Sequence, residues 1–187
     1  LAQHTAGRLP VLDRLRVAVT EPMEDGALLV KVIHELLEEP AFTEYGIRAK
    51  KNGAFDALRD KGNAARGNVD ISIGAGIVTL EGMVGSLTHR RLAEVLVWWT
   101  AGCEDVDNRL RVTPPEQENE GELIDAVRIV LEKDPLVHAD QLHIGARWHT
   151  ITLQGYVGSD EERRLAVLDA WYVPGVRDVA DRIVTRG

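Results

Sequence analysis

The stretch TLEGMVGSLTHRRLA (79–93) recurs 73 residues later as TLQGYVGSDEERRLA (152–166), and this repeat decides the fold. The match runs without a gap from 77–112 to 150–185, with 15 identities in 36 positions. Self-similarity of this length at a fixed offset indicates a repeated structural unit. We therefore predict that the chain folds as an array of similar small units.

A second repeat, at an offset of 95 residues, indicates where the units begin. Positions 5–40 match 100–135 with 14 identities in 36 positions. Together the two offsets predict one unit at 25–113 and another at 119–187, joined by an acidic, proline-bearing linker.

The offsets also predict two departures from a simple tandem array. Residues 1–19 correspond to the tail of an earlier unit whose front lies before Leu1, so we expect a strand at 9–19 that needs a sheet edge for pairing. The offsets differ by 22 residues (95 − 73), which predicts an insertion in the first complete unit at about 42–68.

Local patterns in the second unit predict its order of elements. Asn119 and Ser159 each stand three residues before a glutamate, a capping-box signal for the start of a helix. Between these helices, apolar residues alternate on both sides of a turn at 147–149, as in a hairpin. A last strand follows Pro174-Gly175. The order αββαβ predicts an α+β fold, with two helices on one face of a three-stranded sheet in each unit.

Four glycines at matching positions of the two repeats are predicted to be structural. Gly82 and Gly155 fall at inward positions of a strand, where we expect the missing side chain to let a helix backbone approach the sheet. Gly102 and Gly175 end the second helix of each unit.

Composition and motifs narrow the function classes. The chain has a formal net charge of −8 and 44% hydrophobic residues, and no apolar run reaches the roughly 20 residues of a membrane helix. No nucleophile or nucleotide-binding motif is present. His143 and His149 flank one hairpin, but two ligands are fewer than a zinc site needs. We predict no catalytic residue, metal or cofactor.

A nucleic-acid partner is also not expected. The acidic balance argues against one. GMVG (82–85) and GYVG (155–158) match the GxxG of KH modules, but they lie between a strand and a helix and hold no basic residue.

The repeated unit resembles the BON domain, named for bacterial osmotic-shock and nodulation proteins. The similar features are DP (134–135), ITLQGYV (151–157) and VPGVRDVADRI (173–183), with EP, VTLEGMV and TAGCEDVDNRL at the matching places of the first unit. The resemblance implies a bacterial, non-enzymatic binding module of the periplasm or cell envelope that attaches to phospholipid or other envelope surfaces, in osmotic or envelope stress. A cytoplasmic location and a protein–protein scaffold are the alternatives.

The insertion carries the clearest charge signal. Its basic residues exceed Glu44, Asp56 and Asp60 by three, 6 − 3, in a chain of net charge −8. A basic segment on an acidic body favours contact with phosphate head groups or with an acidic envelope protein. The alternative is a solvated excursion with a short helix at 54–61. The candidate residues are Arg48, Lys50, Lys51, Arg59, Lys61 and Arg66.

The second helix of each unit predicts an interface. If Ala166, Ala170 and Val173 face the sheet, then Trp171 lies on the opposite side of the helix. An exposed tryptophan face usually marks a contact, and we expect it to join units, subunits or a partner, which favours a homo-oligomer through a helix face or an edge strand. The alternative is a rotated helix with both tryptophans in the core. The candidate residues are Trp98, Trp171, Arg91, Arg164, Val95 and Leu168.

Overall fold

The computed structural model describes residues 23–115 and 119–186. The first unit consists of α1 (Asp25–Glu38), β1 (Gly46–Lys51), β2 (Ala54–Arg59), β3 (Asn68–Gly74), β4 (Ile77–Val84), α2 (Leu87–Trp99) and β5 (Asp105–Val112). The second unit consists of α3 (Glu120–Lys133), β6 (Leu142–Arg147), β7 (Thr150–Val157), α4 (Asp160–Tyr172) and β8 (Asp178–Thr185). The predicted α+β fold of tandem αββαβ units is confirmed.

The second unit has the predicted three-stranded sheet, in the order β6-β7-β8. β6 and β7 form an antiparallel hairpin, and β8 lies parallel to β7. Ala166, Ala170 and Val173 are buried in the core between α4 and this sheet, as the helical spacing predicted.

The helix starts follow from local hydrogen bonds. Asn119 Oδ1 accepts from the Glu122 N–H at 3.0 Å, and Ser159 Oγ accepts from the Glu162 N–H at 3.1 Å. Each cap satisfies a backbone donor that the first turn of a helix leaves unpaired.

The first unit departs from the prediction because its sheet has five strands, in the order β2-β1-β3-β4-β5. β1 lies parallel beside β3, and β2 pairs antiparallel with β1 at the outer edge. The short helix predicted at 54–61 is wrong, because Ala54–Arg59 is a strand. Asn52 and Gly53 have φ values of 50° and 87°, the left-handed conformation that a two-residue hairpin turn requires.

The insertion also contributes to the core, so the interpretation of a merely solvated excursion is wrong. Phe42 and Tyr45 are fully buried, with ring centroids 5.4 Å apart. The Tyr45 hydroxyl accepts a hydrogen bond from the Gly85 N–H at 3.0 Å. This bond ties the start of the insertion to the loop between β4 and α2.

The turn between the two repeated strands is attached to the first helix in both units. In the first unit the Asp25 carboxylate accepts from the N–H groups of Ala75 and Gly76, at 3.0 and 2.8 Å. In the second unit Glu120 accepts from the Trp148 N–H at 3.1 Å. The start of the helix thereby fixes the tip of the hairpin.

Gly82 and Gly155 are structural for a different reason from the one predicted. Their φ values are 123° and 150°. A Cβ at Gly82 would lie 2.2 Å from the Asn68 carbonyl oxygen, and a Cβ at Gly155 would lie 2.1 Å from that of Gln141. The close approach therefore comes from the backbone leading into the neighbouring strand, and the predicted approach of a helix backbone is wrong.

Gly102 and Gly175 both have a φ of 99°, in keeping with their place just after α2 and α4. The strand predicted at 9–19 lies outside the described residues.

Candidate binding surfaces

The turn between β1 and β2 presents cations and an aromatic ring together. Lys50 and Lys51 are exposed at the end of β1, and Lys50 pairs in register with Phe55 on β2. The Phe55 side chain is 41% exposed. The Arg48 guanidinium lies 5.6 Å from the centre of the Phe55 ring, which holds the ring at the surface.

Two of the six predicted basic residues form hydrogen bonds within the protein. Arg48 Nε donates to Asp70 Oδ1 at 2.6 Å, and this hydrogen bond and the attraction of the carboxylate raise the pKa of Arg48. Arg59 donates to the carbonyl oxygens of Leu37 and Phe42, so it joins β2 to the end of α1.

The remaining basic residues are more accessible. Lys61 Nζ lies 3.7 Å from a Glu44 carboxylate oxygen. Lys50, Lys51 and Arg66 are exposed, and none has an ion-pair partner within the described part of the chain. Fewer basic residues of the insertion are thus accessible than the sequence indicated. Two of the accessible ones, Lys50 and Lys51, lie at the hairpin turn.

An open groove adjoins the same turn. It runs between the tips of the β1–β2 and β3–β4 hairpins and is lined by Lys50, Asn52, Gly53, Ser72, Ile73, Gly74, Ile77 and Thr79. Both hairpin tips lie at one end of the sheet because β1 and β3 are parallel.

The outward face of α2 is covered by the second unit. Val95 is 1% exposed and belongs to the core of the second unit, with Trp99 packed beside it. The Thr88 hydroxyl donates to Glu122 Oε2 at 2.9 Å, and Arg91 Nε donates to the Pro174 carbonyl oxygen at 2.8 Å.

The second unit reaches back in return. Ile129 of α3 packs against the first core. Lys133 Nζ lies 2.6 Å from a carboxylate oxygen of Glu39, which is buried. The two units therefore share an interface that joins α2 and the end of α1 to α3 and the loop after α4.

The matching face of α4 is open. Leu168, the counterpart of Val95, is 47% exposed, and Tyr172, the counterpart of Trp99, is 37% exposed. Arg164 is also exposed, and it pairs with Glu161 on the same helix at 2.8 Å. One face of the second helix is thus buried by protein in one unit and accessible in the other.

The two tryptophans predicted for these faces are half-buried. Neither Trp98 nor Trp171 is among the residues that form or pack against the two hydrophobic cores. The sequence pattern did not single out Trp99, which packs against the core of the second unit.

A buried aspartate on α4 lies next to a half-buried acidic residue, Asp134. Asp169 is 4% exposed, and its Oδ2 atom has no hydrogen-bond partner. Burial, followed by repulsion from and hydrogen bonding with Asp134, raises the pKa of Asp169 to about 7. Asp134 is the counterpart of Glu39 at the 95-residue offset, but in the described part of the chain no lysine takes the place of Lys133 next to it.

Two surface features were not predicted from the sequence. Asn52-Gly53 is a strong hairpin signal between alternating residues, and it would have placed β1 and β2 correctly. Trp148 is 79% exposed at the β6–β7 turn with a φ of 53°, where the first unit has Ala75. No local pattern distinguishes such an exposed tryptophan from a core residue.

The fold and the repeated motifs define a tandem αββαβ protein, and family comparison identifies the family. The BON domain profile matches residues 55–114 and 119–187, so the chain belongs to the BON domain family. Members of this family are generally non-catalytic binding domains. Among curated proteins, none matches.

Two solved structures of a Chlamydia trachomatis protein are similar to this chain. One is CdsD, a structural protein of the type III secretion system, at 17% identity and a TM-score of 0.32, covering 88% of this chain and 64% of that one. The other is the C-terminal domain of CdsD, at 16% identity and a TM-score of 0.32, covering 88% of this chain and 68% of that one.

Two features are absent from residues 23–115 and 119–186. No helix there is both long and apolar enough to cross a membrane. No group of three or more histidine, cysteine, aspartate or glutamate side chains converges there as a metal site would require.

Proposed function

We propose that this chain is a non-enzymatic binding protein that attaches to anionic phospholipid at the cell envelope through the β1–β2 hairpin. The observation that supports the proposal is that exposed Lys50 and Lys51 lie at one hairpin turn with the exposed ring of Phe55, which pairs in register with Lys50. Cations attract anionic head groups, and an adjacent aromatic ring favours the interface between water and lipid.

The expected affinity is modest and depends on salt. Each lysine near an anionic surface contributes about 1 kcal/mol, and that contribution falls off within a Debye length. The net charge of −8 means that other parts of the surface are repelled by an anionic membrane. The hairpin turn therefore has to make the contact with the head groups. The proposed location is the periplasmic side of the envelope, with a role in osmotic or envelope stress, and a cytoplasmic membrane face is the alternative.

Liposome sedimentation tests this proposal. The chain should sediment with vesicles of phosphatidylglycerol and not with vesicles of phosphatidylcholine, and the bound fraction should fall as salt rises. Lys50→Glu with Lys51→Glu should abolish binding, and Phe55→Ala should weaken it.

Arg111→Glu with Arg182→Glu is the matched control, because both residues are exposed on strands away from the hairpin and the change in net charge is the same. Equal loss of binding in the control, or no binding by the parent chain, would rule out the hairpin as the attachment site.

A second candidate function is a protein–protein scaffold that uses the outer faces of the second helices. The observation that favours it is the burial of Val95 against the core of the neighbouring unit. A homo-oligomer through the open α4 face is one form of this function. Sedimentation velocity should then show association that Leu168→Glu weakens, and a monomer at all concentrations would exclude the homo-oligomer.

A further inference from the structure

The contact that α2 makes with the second unit is a template for a contact that the uncovered face of α4 can make with a further unit. Along α2, one stripe of Thr88, Arg91, Val95 and Trp99 meets the second unit. At the 73-residue offset the same stripe on α4 reads Glu161, Arg164, Leu168 and Tyr172. The central aliphatic residue, the arginine and the aromatic end are retained, so α4 offers a similar surface to a similar partner.

The template contact also has an acidic anchor, the carboxylate that binds a lysine of the neighbouring unit. This acidic anchor has a counterpart in the second unit. In the first unit, buried Glu39 is held by Lys133 of the next unit at 2.6 Å. In the second unit, Asp134 takes the place of Glu39 and faces the buried carboxyl group of Asp169. A cation supplied from outside would stabilise this acidic pair as Lys133 stabilises Glu39, because a buried carboxylate without a partner is costly.

We propose that the outer face of α4 binds the first helix of another αββαβ unit, with a lysine or arginine at the end of that helix to meet Asp134. Resting on the scaffold function above, this inference specifies the partner. The partner helix carries small or aliphatic residues at its centre, against Leu168. It carries no acidic residue at its start, because Glu161 stands where α2 has Thr88.

A second copy of this chain, docked through α1 in the same way, does not meet these requirements. At the 95-residue offset, α1 has Lys31 in place of Ala126 and Glu38 in place of Lys133. Lys31 would face Leu168, and Glu38 would face Asp134, which is a like-charge contact. The partner is therefore a unit of different sequence.

A three-unit chain supplies a defined probe. Residues 113–187 are appended after Thr185, because Thr185 corresponds to Val112 and the third unit then follows at the natural spacing. The appended copy carries Glu122→Lys, so that its first helix opposes Glu161 with a cation, and it retains its own Lys133.

Hydrogen exchange of α4 amides and small-angle scattering measure the docking. A tether gives an effective concentration on the order of 1 mM. At a Kd on the order of 0.1 mM, docking raises the exchange protection of α4 about tenfold. We expect this rise together with a compact scattering profile. Both should be lost with Leu168→Glu in the middle unit and kept with Val184→Glu, an equally exposed position on the strand surface.

A third unit that moves independently, or protection that Leu168→Glu leaves unchanged, would overturn the inference. Lys133→Ala in the appended copy distinguishes the contribution of the acidic anchor to docking from that of the apolar stripe. It should reduce protection without affecting the fold of the first two units, and unchanged protection would contradict the role of Asp134. If the third unit fails to dock while Leu168→Glu still weakens self-association of the native chain, the partner is wrong and the scaffold function stands.

Discussion

Replacing Asp169 by leucine should change how the stability of this protein depends on pH. The carboxyl group is buried and its pKa is raised to about 7 from a reference value of 3.8. Leucine suits the site because Leu96, the counterpart of Asp169 in the first unit, is buried in the first core. Asp169→Asn is the companion variant that removes the charge and keeps the size.

The sign of the effect follows from proton linkage. Between pH 4 and pH 7 the folded chain keeps a proton on Asp169 that the unfolded chain has released, so the free energy of unfolding falls as pH rises. The slope is at most about 1.4 kcal/mol per pH unit, which over about three units gives a loss of about 4 kcal/mol. Above pH 7 both states are ionised, and this contribution no longer changes.

Urea unfolding of the parent chain and of Asp169→Leu at pH 5 and pH 8 measures the effect. The advantage of the leucine variant should be about 2–3 kcal/mol larger at pH 8 than at pH 5. Groups that do not contact Asp169 contribute equally to both proteins and cancel in the difference. An unchanged difference between the two pH values, or a leucine variant less stable than the parent at pH 8, would refute the assignment of the raised pKa to Asp169.

Four further substitutions test the packing, each by urea titration and far-UV circular dichroism. Val95→Ala should cost about 2 kcal/mol because it removes buried methyl groups at the unit interface, whereas Leu168→Ala, at the exposed counterpart, should cost under about 1 kcal/mol; equal costs would contradict the open α4 face. Lys133→Ala should cost about 2–3 kcal/mol by leaving Glu39 buried without its cation, and a neutral result would mean that the pair contributes nothing. Gly155→Ala should cost about 3 kcal/mol or more, because a Cβ cannot fit beside the adjacent backbone, and a stable variant would require the strand to shift.

The elements that depend on local signals could be predicted from the sequence. Asn119 and Ser159 cap their helices as predicted, and the strands that contain Gly82 and Gly155 follow the alternation of apolar residues. The repeat extends the Ser159 cap to the first unit, where Ser86 Oγ accepts from the His89 N–H at 3.2 Å.

The features that depend on distant residues could not be predicted. Arg59 looks like surface charge in the sequence, yet it donates to backbone carbonyl groups at the end of α1. Its role depends on β2 lying at the sheet edge, which the sequence pattern did not indicate. In the same way, Val95 and Leu168 are equivalent in the repeat, and only the presence of a neighbouring unit buries one and exposes the other.

The inserted hairpin shows how this fold can gain length without losing its register. β1 and β2 are added outside β3, and every later element of the first unit keeps its 73-residue correspondence with the second. The hairpin is therefore a separate pair of strands added at a free edge of the sheet. Within the described residues, β6 presents the same edge of the second unit with no strand beyond it. Transplanting 43–64 to the position before β6 would lengthen the second sheet by two strands and move a lysine-bearing turn to a new place on the array.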